Sequence, residues 1–98
     1  MCGATAGGLS VEGINTTTEA VVQGVVTRDG EAVGGAYVRL LDSTGEFTAE
    51  VPTSASGHFR FFAGTGEWTL RALAPRAETV DQPVQAAVGS VSEVTIAI

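Results

Sequence analysis

At 98 residues, 44% of them hydrophobic, the chain fits one domain with enough apolar surface for a real core. Eleven acidic residues against five basic ones, all arginines, give a net charge of −6, which repels phosphate backbones and argues against nucleic-acid or anionic-membrane binding. A single cysteine excludes an intrachain disulfide and a cysteine-only metal site, and no apolar run approaches the ~18 residues of a spanning helix.

Residues 1–19 are dominated by small and flexible types, with Leu9, Val11 and Ile14 as the exceptions. Ordering such a stretch costs much entropy for little burial, so a flexible N-terminal arm is expected there. The start has neither the charged nor the apolar region of a secretory signal, which sets a cytoplasmic location as the expectation. On that reading, the glycosylation sequon Asn15-Thr16-Thr17 is a chance match.

From Ala20 onward the apolar period is two. Val22, Gly24 and Val26 share one face of a first strand, and Asp29-Gly30 within Arg28–Glu31 is a turn signal. After Gly34-Gly35, Ala36, Val38 and Leu40 alternate with Tyr37 and Arg39. Past the Asp42–Gly45 turn, Phe47, Ala49 and Val51 alternate with Thr48 and Glu50, and Pro52 marks an end or an edge. A tight Ser54–Gly57 loop leads to Phe59 and Phe61 around Arg60. Trp68, Leu70 and Ala72 then alternate with Thr69 and Arg71, a weak strand from Val80 to Ala87 is interrupted by Pro83, and Val94, Ile96 and Ile98 close the set.

Seven short strands with turns between them predict an all-β, seven-stranded antiparallel β-sandwich over residues 20–98. The expected core is Val38, Leu40, Phe59, Phe61, Trp68 and Ile96. Tyr37, Arg39, Leu41, Arg60 and Arg71 fall on outward faces. If their strands are neighbours, the three arginines form a cationic stripe for an acidic partner or a small anion, with Glu50 pairing as the simpler alternative. Tyr37, Arg39, Arg60 and Arg71 are therefore the candidate partner-binding residues.

The spaced elements V-x-G-x-V from Val22, D-G-E-A-V-G-G-A-x-V-x-L, T-S-A-S-G-x-F-x-F and G-T-G-E-W-T-L-R-A resemble the carboxypeptidase regulatory-like domain, a prealbumin (transthyretin) type sandwich. Transthyretin-like hydrolases share that topology. Their Tyr-Arg-Gly-Ser tail and paired histidines are missing here, where the chain ends Thr95-Ile96-Ala97-Ile98, so their activity does not carry over. The opening Met1-Cys2-Gly3-Ala4, the stretch Gly35–Asp42, Gly45–Val51 and Phe59–Phe62 resemble a small actinobacterial family of SseC-like proteins. That resemblance implies an association with sulfur metabolism and with a thiosulfate sulfurtransferase as partner.

Chemistry-bearing residues are few. Removal of Met1 would leave Cys2 N-terminal, where the adjacent ammonium favours the thiolate, the nucleophilic form. Cys2 is thus a candidate sulfur acceptor from a rhodanese, set against an inert tail thiol or a lipid attachment point. His58, the only histidine, would need a serine or Cys2 within reach to act as a base. Two soft ligands are too few for a zinc site, and the scattered carboxylates lack calcium-loop spacing, so neither metal nor cofactor is expected. The residues point to a non-enzymatic accessory protein of sulfur metabolism, or alternatively to a passive protein- or carbohydrate-binding sandwich.

Overall fold

A computed structural model describes residues 20–98; the expected arm over residues 1–19, Cys2 included, lies outside them. Eight strands follow in order: β1 (Ala20–Arg28), β2 (Glu31–Ala32), β3 (Tyr37–Leu41), β4 (Phe47–Pro52), β5 (His58–Ala63), β6 (Gly66–Leu73), β7 (Val80–Ala86) and β8 (Val91–Ala97). They form two four-stranded sheets. One is centred on β1, which pairs β2, β5 and β8; the other runs β4-β3-β6-β7. The sandwich expected from the period-two pattern is what the chain adopts.

Three differences refine it. Glu31–Ala32, within and just past the expected turn, forms the short strand β2. Asp29 and Gly30 both take positive φ (53° and 83°), the conformation of a two-residue type I′ hairpin, and Arg28 pairs Glu31 across it. The β1–β8 pair is parallel, from Val21↔Val91 to Thr27↔Ala97, while the other pairings are antiparallel. Finally, Pro83 does not interrupt β7, which runs through it opposite Thr69. As the last strand of its sheet, β7 can leave the missing N–H of Pro83 on the open side, where it blunts the edge.

The core lies between the sheets. Val22 and Val26 of β1 meet Val38 and Leu40 of β3, Phe59 and Phe61 of β5, Leu70 and Ala72 of β6, and Ile96 of β8. Phe59 and Phe61 pack with ring centroids 6.2 Å apart and planes tilted by 55°. Five of the six expected core residues are buried. Trp68 is only partly so: it packs on the margin of the core while its indole Nε1 donates to the Gly64 carbonyl at 2.9 Å. An indole must satisfy its N–H, and here the loop backbone at the rim supplies the acceptor.

Gly24 in the middle of β1 marks a close approach. A Cβ there would overlap the Val94 carbonyl of the parallel neighbour β8 and lie 3.1 Å from the Phe59 ring. Glycine at this point therefore permits both the parallel pairing and the aromatic packing above it.

Candidate docking surface on the outer sheet face

The register of the β4-β3-β6-β7 sheet places its outward residues in rows across the strands. One row reads Glu50, Arg39, Arg71, Asp81, a single residue from each strand. On one side of it lie Pro52, Tyr37 and Leu73. On the other lie Phe47, Leu41, Thr69 and Pro83.

The charged row is neutralised within itself. Arg39 Nε donates to Glu50 Oε2 at 2.7 Å. Arg71 donates twice to Asp81, from Nε at 2.8 Å and from a terminal guanidinium nitrogen at 3.0 Å. The Arg71 hydrogen bond holds the Asp81 carboxyl below its ordinary range, and the same bond raises the pKa of Arg71. Two adjacent arginines with carboxylates at both ends form a balanced band rather than a cationic stripe. The expected pairing with Glu50 is present.

Arg60 does not join that band. It lies on β5 in the other sheet, where its Nε donates to Gln23 Oε1 at 2.8 Å and Gln23 Nε2 donates to Glu93 Oε2 at 3.0 Å. The stripe of three arginines is thus corrected: Arg39 and Arg71 are direct cross-strand neighbours, and Arg60 is separated from them by the core.

Two aromatic side chains stand exposed on the β4-β3-β6-β7 face, Tyr37 at 50% and Phe47 at 60%. Strict alternation would turn Phe47 inward with Ala49 and Val51. A register shift between Leu40 and Leu41 prevents that: Leu40 pairs Ala49 but Leu41 pairs Phe47, so β4 carries one extra residue. The bulge re-aims Phe47 to the outside, where the Arg39 guanidinium sits 5.9 Å from its ring centroid. Leu41 is only 4% exposed although it faces outward in the Phe47 row. The face is therefore a set of aromatic and aliphatic groups crossed by a pre-paired charged band, the composition that recurs at protein interfaces.

The β3–β4 turn is built around Asp42. Its Oδ1 accepts from the Thr44 hydroxyl at 2.6 Å and from the amides of Thr44 and Glu46. The Thr44 hydroxyl chiefly, with these amides, lowers the pKa of Asp42. Gly45 closes the turn at a φ of 88°.

His58 does have a serine within reach. Ser56 Oγ lies 3.0 Å from His58 Nδ1 and 3.2 Å from Ser54 Oγ, which accepts the His58 backbone N–H. These bonds span two to four residues and close the β4–β5 loop, with Gly57 at a φ of 80°. A third group that would orient the imidazole is absent among the described residues. Also among the described residues, no group of three or more His, Cys, Asp or Glu side chains could hold a metal, and no helix is long and apolar enough to cross a membrane.

Sequence reasoning found Tyr37, Arg39, Leu41 and Arg71 on one face but missed Phe47, because a bulge leaves no signature in alternation alone.

Comparison with solved structures places the fold among known sandwiches. The chain is similar to the major pilin subunit BcpA of Bacillus cereus, with a TM-score of 0.69, 19% identity, and coverage of 82% of this chain and 28% of that one. It is also similar to the dioxygenase domain of a dioxygenase carbohydrate-binding protein fusion from Streptomyces sp. SirexAA-E, with a TM-score of 0.65, 12% identity, and coverage of 87% and 82%. At such identities the likeness is one of fold alone. Among sequences, the uncharacterized protein Rv0814c of Mycobacterium tuberculosis is 50% identical over 100 residues, covering 100% of this chain and 99% of that protein. A family model described as "Protein of unknown function (DUF1416)" matches residues 2–98, and the chain belongs to that family.

Proposed function

We propose that this domain is a non-enzymatic binding module that docks a protein partner through the outer face of the β4-β3-β6-β7 sheet. The observation that carries the reading is the exposed pair Tyr37 and Phe47, fixed on rigid strands beside an Arg39 that Glu50 already orients. Aromatics on strands lose little conformational entropy on binding, and interface energy concentrates in such anchors. A strand bulge that turns a phenylalanine into solvent costs burial, which a partner would recover. A carbohydrate ligand fits less well, because the only tryptophan packs at the rim of the core rather than lying open as a stacking platform.

The test is affinity capture from the native cells with the parent chain, a Tyr37→Ser/Phe47→Ser variant and a Phe62→Ser variant. Phe62 is equally exposed, at 53%, but lies on β5 in the opposite sheet. A specific partner retained by Phe62→Ser and lost by Tyr37→Ser/Phe47→Ser supports the reading. Retention by both variants, or loss only with Phe62→Ser, contradicts it.

A second reading rests on Cys2 and the Met-Cys-Gly-Ala opening: transfer of sulfur from a thiosulfate sulfurtransferase to the Cys2 thiolate. It is tested by mass spectrometry after incubation with thiosulfate and a rhodanese. A persulfide adduct on Cys2 that disappears in Cys2→Ser supports it; an unmodified Cys2, where a control acceptor is loaded, ends it. The two readings are compatible, since the sheet face would dock what the thiol serves.

A further inference from the structure

Beside the Phe47 row the same face holds a hollow of about 290 Å³. Glu67, Thr69, Pro83 and Gln85 line it from β6 and β7, and Ser43 reaches it from the β3–β4 turn that Asp42 holds together. The register sets Glu67 directly opposite Gln85 and Thr69 opposite Pro83. The hollow therefore has an acidic and amide end and a less polar end.

The charges around it are unequal. Arg39 and Arg71, the cations of this face, are held by Glu50 and Asp81. The Glu67 side chain takes part in no hydrogen bond or ion pair among the described residues. The unanswered charge at the hollow is thus a carboxylate, on a chain whose net charge is −6.

We infer that the hollow seats an arginine side chain presented by the docked partner; this rests on the reading of the face as a docking surface. The aliphatic stem would lie over Pro83 and Thr69, and the planar guanidinium would donate to the Glu67 carboxylate and the Gln85 carbonyl oxygen. A neutral apolar side chain would leave Glu67 without a partner. A carboxylate would meet it as a like charge. A second copy docked about the middle of the charged row is a poor occupant of the face. Any two-fold centred on the Glu50-Arg39-Arg71-Asp81 row sets carboxylate against carboxylate and arginine against arginine.

The probe is a short peptide, acetyl-Leu-Arg-Leu-amide, titrated into the full chain and followed by amide shifts, with the glutamate analogue as control. Saturable shifts at Glu67, Thr69 and Gln85 are expected from the arginine peptide only. Binding should weaken roughly five- to tenfold in Glu67→Gln and fall with added salt. Absence of saturable shifts there, an equal response to the glutamate peptide, or unchanged binding by Glu67→Gln overturns the inference. So does a dimer of the parent chain that Glu67→Gln dissociates, which would make a second copy the occupant. Capture with Tyr37→Ser/Phe47→Ser is read separately: if that variant loses the partner while the peptide fails to bind, the docking face stands and the arginine seat falls.

Discussion

On the outer face of the β1 sheet, Gln23 sits between Arg60 and Glu93 and is 4% exposed. Val21 beside it, between Phe62 and Val91 in register, is 0% exposed. On the outer face of the other sheet the central arginines sit side by side, and the rows flanking them carry exposed Tyr37 and Phe47. Each face carries a row of charged and polar side chains with an apolar row beside it, Phe62, Val21 and Val91 on the first and Phe47, Leu41, Thr69 and Pro83 on the second. In the first the polar groups are tied to a buried amide, so the row contributes to the fold. In the second the ion pairs lie at the surface, where they add little stability, and Tyr37 and Phe47 keep half or more of their surface exposed.

The strongest way to break the first face is at its central strand. Gly24→Val forces a side chain into the Val94 carbonyl and the Phe59 ring, and a loss of about 3 kcal/mol or more is expected in urea unfolding. Next, Gln23→Ala leaves Arg60 and Glu93 without the amide between them. A cost of about 1–3 kcal/mol is expected, because two hydrogen bonds of a part-buried network are lost together with the packing of the buried amide. The second face should behave otherwise. Tyr37→Ser and Phe47→Ser are expected to change unfolding free energy by no more than about 0.5 kcal/mol each while abolishing partner capture. If either destabilises the fold as Gln23→Ala does, the contrast between the faces is lost.

The smallest effects concern acid. The Asp42 and Asp81 carboxyls are both held below their ordinary value of 3.8. A lowered pKa means the folded state binds the proton less readily than the unfolded one. Each group's contribution is therefore complete above the ordinary carboxylate range and lost as pH falls through the lowered pKa. Carbon-13 carboxyl titration should show both midpoints below 3.8. Arg71→Ala should return Asp81 toward that value and leave Asp42 in place.

Much of the fold was legible because burial imposes its own period. Val38, Leu40, Phe59 and Phe61 declare their strands by alternation, and Asp29-Gly30 declares its hairpin because both residues tolerate positive φ. What was not legible depends on which strands become neighbours. Nothing local to Arg60 says that its strand joins β1 rather than β3, and nothing local to Val94 says that β8 lies parallel to β1. Phe47 is the sharpest case: its local pattern reads inward, and only the pairing of Leu41 with Phe47 turns it out. The Glu67–Gln85 hollow was missed for the same reason, since it exists only once β6 and β7 are in register. Pro83 gave a partial signal, because a proline within a strand marks an edge.

The most direct measurement is an amide footprint of the captured partner on the isotope-labelled chain. Broadening or shifts confined to the outward residues of β3, β4, β6 and β7, centred on Tyr37, Phe47 and Arg39, are predicted. A footprint centred instead on Val21, Phe62 and Val91 would contradict the account.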